Sequence, residues 1–198
     1  MNLYDELPLK VEYEGKTYKI LPYFNRVLFC LDTFKSKEYS QIEKVDICFS
    51  VLFDYKGRLF YTTKTKLLSI AFDMLFSTQK KGSNKKYFDF KQDAKYIYSG
   101  FMQAYGIDLF ECKNKLHWWK FNALFIGLPK DTKIMEIIDI RAKPIPQRTK
   151  FNGNYIANLI KLKAEYQLEL TQEEREKEMQ EALGNLFHKL KGMAKEKR

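Results

Sequence analysis

Histidine is the side chain that titrates nearest neutrality, so a search for chemistry starts with His117 and His188. His117 stands within ten residues of Asp108 and Cys112, which places a nucleophile, a base and an orienting carboxylate in one short stretch. Catalytic triads are normally assembled from separate elements of a fold. The plainer reading is a histidine that caps or hydrogen-bonds at a tryptophan-rich helix. His188 lies between Phe187 and Lys189 with no local carboxylate or thiol partner. Asp89 and Asp93, four apart, share one helical face as a metal or acid/base pair would. Asp89 is better explained as an N-cap, and Asp93 as a negative charge in the first turn, where the helix dipole favours it. Cys30, Cys48 and Cys112 are odd in number and far apart, with no CxxC, which fits a reducing compartment and no zinc site. The chain has no P-loop, no GxGxxG after a strand, and no HExxH, EF-hand or GxSxG pattern. The expectation is a protein that is not an enzyme and uses no cofactor or metal.

Charge and aromatic content point to binding instead. Lys and Arg number 35 against 25 Asp and Glu, a net charge of +10, enough for weak attraction to any polyanion. The cations cluster: Lys56, Arg58, Lys64 and Lys66 stand without an acid among them, residues 80–95 hold six basic side chains and two acidic ones, and residues 141–150 hold four basic side chains and no acidic one. Two of these stretches carry aromatics, so a nucleic-acid groove is a legitimate alternative, although no helix shows an Arg-, Asn- or Gln-rich reading face. Aromatic residues make up 16% of the chain, and most are expected in the core. Trp118 and Trp119 are adjacent, so on a helix they point about 100° apart and one can be internal while the other reaches a surface groove. Tryptophan is a frequent interface anchor.

The elements that would position these residues follow from periodicity. At 198 residues and 45% hydrophobic content, the chain can bury a core without disulfides. No stretch is apolar enough to span a membrane, and the first residues lack a signal-peptide apolar region. Leu9, Val11 and Tyr13 alternate with polar residues, Glu14-Gly15 offers a turn, and Lys16, Tyr18 and Ile20 resume the alternation. That pattern predicts a hairpin with Val11 opposite Tyr18 and Leu9 opposite Ile20. Helices then follow, one capped by Asn25, one by the Ser40/Glu43 capping box, and one near 65–77. Residues 78–86 have no apolar side chain to bury and form the best internal linker. Asp89 opens a further helix that ends at Gly106. A connector over 107–114 leads to a helix over 115–126, and Asp131 caps another that stops before Pro144 and Pro146. Two helical pieces follow, carrying Tyr155, Leu159, Leu162 and Tyr166, then Met179, Leu183, Leu186 and Leu190, with a break near Leu170. The fold class expected is mainly α, a helical bundle with an N-terminal β-hairpin and a long, broken C-terminal helix.

Several strings stand at a specific spacing: Phe88-Asp89-Phe90, Gln92-Asp93-Ala94, Tyr96-Ile97-Tyr98, Tyr105-Gly106-Ile107-Asp108-Leu109, Leu116-His117-Trp118-Trp119-Lys120-Phe121, Gly127-Leu128-Pro129 and Asp131-Thr132-Lys133. Together they resemble the bacteriophage gene-product-fifteen family of long-tailed phages and prophages, most strongly over 87–141. The resemblance implies a tail assembly chaperone that binds the tape-measure protein and the major tail protein, works in the host bacterial cytoplasm, and is not retained in the mature virion. It brings no catalytic residue or cofactor. The chain then divides into a hairpin-and-helix region over 1–77 packed with the rest, a three-helix family core over 87–146, and a helical extension over 154–192. Tyr105, Leu109, Trp118 and Trp119 are expected to line a partner groove. Met179, Leu183, Leu186 and Leu190 are expected to support self-association.

Overall fold

The computed structural model describes residue 4 and residues 6–76 and 86–169. The fold is mainly α, with seven helices and one two-stranded hairpin among the described residues. The chain divides into two compact units, Met1–Asp139 and Ile140–Arg198.

In the first unit, β1 (Lys10–Tyr13) and β2 (Lys16–Lys19) pair antiparallel with Val11 opposite Tyr18. The two-residue turn is the one the sequence predicts, with Glu14 at φ 49° and Gly15 at φ 71°, the left-handed pair that matches strand twist. The hydrogen bond from Ile20 N to Leu9 O extends the register. Val11, Tyr18 and Ile20 are buried, but Leu9, opposite Ile20, is exposed. Ile20 then bridges to Phe53, and Leu21 N donates to Leu52 O, so the hairpin is fastened to the end of a helix rather than standing alone.

Three helices follow: α1 (Phe24–Lys35), α2 (Gln41–Leu52) and α3 (Tyr61–Phe76), with α1 packed on α2 and α2 on α3. The capping box forms as the sequence predicts: Ser40 Oγ accepts from Glu43 N at 3.3 Å, and Glu43 Oε2 accepts from Ser40 N at 2.8 Å. Val45, Cys48, Phe49 and Leu52 are buried, whereas Ile42, in the first turn, stays exposed. Asn25 does not cap α1. The position before the helix is Tyr23, and the N–H of Phe24 is satisfied by Leu116 O at 3.0 Å. A tertiary carbonyl does the work of a side-chain cap, and this releases Asn25 for a contact described below. The third helix starts at Tyr61, four residues before its expected start, because Phe60 O already accepts from Lys64 N. Ser77 and residues 78–85 of the expected linker lie outside the described residues.

The rest of the unit is built by α4 (Ala94–Tyr105), α5 (Trp118–Ile126) and the start of α6 (Lys133–Ala142). Gly106 closes α4 at φ 63°, and its N–H returns to Phe101 and Met102 carbonyls, the left-handed C-cap that glycine adopts without a Cβ penalty. Gly100 is buried where a Cβ would stand 3.3 Å from Ile134 Cγ2, so α4 approaches that side chain closely. Helix α5 begins at Trp118, not at Lys115, since 109–115 forms turns. Asp131 lies one residue too early to cap α6. Thr132 precedes the helix, fully buried, with its hydroxyl donating to Pro129 O at 2.7 Å.

In the second unit the described chain contains the end of α6, a loop with Pro144 and Pro146, and α7 (Gly153–Glu165). Arg141 Nε donates to Tyr166 O at 2.6 Å, and Lys163 Nζ donates to Arg141 O at 2.8 Å, tying the two helix ends together. Asn152 orders the loop by donating to Gln147 O and accepting from Thr149 N. Helix α7 ends at Glu165 and residues 166–169 are not helical, a turn before the break expected near Leu170; Met179, Leu183, Leu186 and Leu190 lie outside the described residues.

Candidate functional site

Phe121, on the inner face of α5, is the centre of the first unit's aromatic packing. Its ring stacks on Phe24 at 4.9 Å, Phe101 at 5.2 Å and Trp118 at 5.7 Å, with Phe90 at 5.9 Å. Such rings contribute area burial plus offset-stacking and edge-to-face attraction. They fix the start of α1, the 88–93 segment, α4 and α5 against one another.

Above that floor the connector between α4 and α5 is held from both ends. Asp108 accepts from Phe110 N at 2.7 Å and from Tyr98 Oη at 3.2 Å, which sets the first turn. At the far end Asn114 adopts φ 58°. Its N–H donates to Asn25 Oδ1 at 2.9 Å, and its side-chain oxygen accepts from Arg26 Nε at 2.7 Å. This is the contact that the displaced Asn25 makes. Between these two anchors a cavity of about 140 Å³ opens among Phe24 and Leu28 of α1, Phe90, Ala94, Ile97 and Tyr98, Leu109, Phe110 and Lys113 of the connector, and Phe121.

The walls are apolar. Phe110 stands 66% exposed at the rim, with Lys113 Nζ 4.6 Å over its ring. The volume suits a bulky apolar side chain and falls below the roughly 300–1,000 Å³ of sites that enclose a drug-sized ligand. Lys113 can meet a carboxylate beside such an anchor. Of the four residues expected to line a groove, Leu109 alone belongs to this one. Trp118 is 1% exposed and lies inside the core against Phe76, Phe90 and Phe121, so a partner cannot reach it. Its Nε1 meets no hydrogen-bond acceptor among the described residues. Trp119 is half-buried and donates its indole N–H to Leu75 O at 3.0 Å, satisfying a carbonyl in the last turn of α3. Tyr105 is half-buried and donates its hydroxyl to Leu124 O at 2.9 Å. The 100° separation of the two tryptophans is real, but the second one meets another helix rather than solvent. Sequence reasoning missed Phe24, Leu28 and Phe110. Leu28 already stood on the apolar face of α1, and Leu109-Phe110 is an adjacent apolar pair flanked by Asp108 and Glu111 in the connector.

The residues first singled out for chemistry hold structure. His117 is the N-cap of α5: Nδ1 accepts from Trp119 N at 3.0 Å, and Nε2 lies 3.3 Å from Pro8 O. Both contacts are met by the neutral ring with its proton on Nε2. Burial pushes its pKa below the ordinary value, with Lys120 adding to the effect and the Pro8 contact opposing it. Asp108 faces Tyr98 and the connector backbone rather than His117. Asp89 and Asp93 serve the turn before α4: Asp89 Oδ1 accepts from Lys91 N and Gln92 N, and Asp93 Oδ2 accepts from Asp89 N. Burial works against ionisation of Asp89, yet Lys86 at 2.7 Å and the two backbone N–H bonds outweigh it and hold the carboxyl well below its usual range. Among the described residues no group of three or more His, Cys, Asp or Glu side chains is placed to hold a metal ion. No described helix is long and apolar enough to cross a membrane.

A family model described as Bacteriophage Gp15 protein matches residues 3–168. The chain belongs to this family. The match runs from before the hairpin to beyond α7, so it takes in the whole groove and extends past the 87–141 stretch in which the resemblance is densest. No curated protein matches the chain, and no solved structure does. Within the Gp15 fold, then, the groove residues are contributed by segments far apart in sequence, Phe24 and Phe121 at the extremes.

Proposed function

We propose that this Gp15 protein is a tail assembly chaperone that binds the tape-measure protein, tail-tube subunits or both during long-tail assembly, and that it catalyses no reaction. One observation carries the reading: an apolar cavity beside the exposed Phe110, with Lys113 at its rim. Membership in a bacteriophage family supports it. A tape measure is a long helix, and helix-in-groove recognition works through apolar anchors at i, i+3, i+4 and i+7. Seating one anchor in the groove removes it and Phe110 from water together, worth about 1.5–3 kcal/mol per buried large side chain. A contact of that size is weak alone and reversible, as displacement during assembly requires. Many copies along one helix would multiply it through effective concentration. On this reading the protein acts in the host cytoplasm and leaves before the virion is complete.

Co-expression with the tape-measure protein of the same phage tests the proposal. The wild-type chain should keep the tape measure soluble and co-purify with it. Phe110→Glu should lose both effects while remaining folded. A tape measure equally soluble with either variant, or one that never co-purifies, removes the proposal.

A further inference from the structure

The segment from Asp54 to Lys66, between α2 and the connector in sequence, is a second surface that the chaperone reading does not use. It joins α2 to α3 and enters the first turns of α3. Phe60 is 84% exposed, and Tyr55 and Tyr61 are each 42% exposed. A phenylalanine so fully in water gains nothing for the fold. Tyr55 is held in place by Tyr18, ring to ring at 5.5 Å, whereas Phe60 and Tyr61 meet no other ring among the described residues. The same segment carries four cations and one carboxylate, Asp54, whose charge is answered by Lys19 at 2.9 Å. Lys64 is likewise committed, to Asp46 at 2.8 Å. Lys56, Arg58 and Lys66 are exposed and form no ion pair among the described residues. Three cations outside any ion pair among the described residues, of which Lys56 acts on Asp54 only through its field, therefore share this short segment with three exposed rings.

We propose that this segment binds single-stranded nucleic acid, with bases stacked on Phe60 and Tyr61 and phosphates held by Lys56, Arg58 and Lys66. Charge complementarity requires an anion, and the exposed rings select the kind. An acidic peptide offers carboxylates but no regular series of planar faces. A duplex hides its base faces and is read by a helix or ribbon in its groove, which a connecting loop does not supply. A single strand presents phosphates and open base faces in alternation, and aromatic stacking of this sort tolerates any sequence. The site is distinct from the groove at Phe110 and does not depend on what that groove binds.

The test is fluorescence anisotropy of a labelled oligothymidylate titrated with the full chain. With about 0.7 counterions released per neutralised phosphate, three cations predict a log–log salt slope near −2, so binding weakens about 20-fold over a fourfold rise in salt. Phe60→Ala should weaken binding by about 5- to 150-fold, the range measured for losing one stacked base. Lys56→Glu with Arg58→Glu should weaken it at least about tenfold and flatten the salt slope. Arg148→Glu with Lys150→Glu makes the same change in net charge elsewhere, and should leave Phe60-dependent binding in place. All of these side chains are exposed, and circular dichroism should be unchanged in each variant. The proposal is overturned if the oligonucleotide does not bind at low salt, if the two double variants weaken it equally, if Phe60→Ala has no effect, or if polyglutamate, anionic vesicles or duplex compete as well as the single strand.

Discussion

Truncating Phe121 to alanine should cost about 4 kcal/mol of stability, within the roughly 3–5 kcal/mol found for a buried Phe→Ala change. The magnitude follows from its position: 1% exposed, stacked on four rings and tilted against a fifth, with no polar atom whose loss could be compensated by water. The cavity left by the ring would be lined by Phe24, Phe90, Phe101 and Trp118, which three separate helices and a turn hold in place, so collapse around it is limited. Phe121→Leu keeps most of the volume and should cost under about 1.5 kcal/mol. The chain contains two tryptophans, both in α5 beside Phe121, and intrinsic fluorescence during urea unfolding therefore reports on this packing directly. At roughly 2–4 °C per kcal/mol, the alanine variant should also melt about 8–16 °C lower. Phe24→Leu combined with Phe121→Leu should show a coupling of about 0.5–1.5 kcal/mol, the excess of a stacked pair over area burial. A loss below about 1 kcal/mol for Phe121→Ala, with the urea slope unchanged, would refute the assignment of Phe121 as the centre of the core.

Three further outcomes follow from particular side chains. Trp118→Phe removes a buried N–H that meets no acceptor among the described residues, a group whose burial costs about 1–3 kcal/mol; thermal melting should find the variant within about 1.5 kcal/mol of wild type, far from the roughly 3–5 kcal/mol of Trp118→Ala. Because burial lowers the pKa of His117 in the folded state, the unfolded chain takes up the proton first, and stability should fall as pH drops from the ordinary histidine value toward the lowered one. Protonating Nδ1 also destroys the cap on Trp119 N, and His117→Asn, which keeps an acceptor but cannot titrate, should flatten that stretch of a denaturation-versus-pH curve. Ser40→Ala should cost about 1 kcal/mol by urea unfolding, since it opens the capping box of α2.

The sequence was most legible where local chemistry decides structure. Turn geometry at Glu14-Gly15, reciprocal capping by Ser40 and Glu43, and the left-handed glycine at Gly106 are all short-range, and each appears where periodicity and residue type place it. It failed where a distant partner replaced a local one. Asn25 looks like a cap until Leu116 O supplies that bond, and Asn25 then fastens the connector through Asn114, 89 residues away. Trp119 looks like an anchor for a partner until α3 presents Leu75 O to its indole. The same limit governs the groove. Leu109 was expected in a groove with Tyr105 and the tryptophans, but its actual neighbours Phe24, Leu28 and Phe90 join it only through tertiary packing. The cap at His117 was legible only in part: a helix expected from Lys115 puts His117 inside it, the turn over 109–115 that makes it the N-cap is a tertiary outcome, and the contact with Pro8 O had no local signal.

The chaperone reading is tested most directly by isothermal titration of soluble tape-measure fragments into the purified chain, comparing wild type with Leu28→Glu and Phe110→Glu. Wild type should bind at least one helical fragment with a negative heat-capacity change, the mark of apolar burial. Each groove variant should weaken that binding at least about tenfold, the equivalent of 1.4 kcal/mol. Equal affinity in all three proteins, or no heat with any fragment, would contradict it.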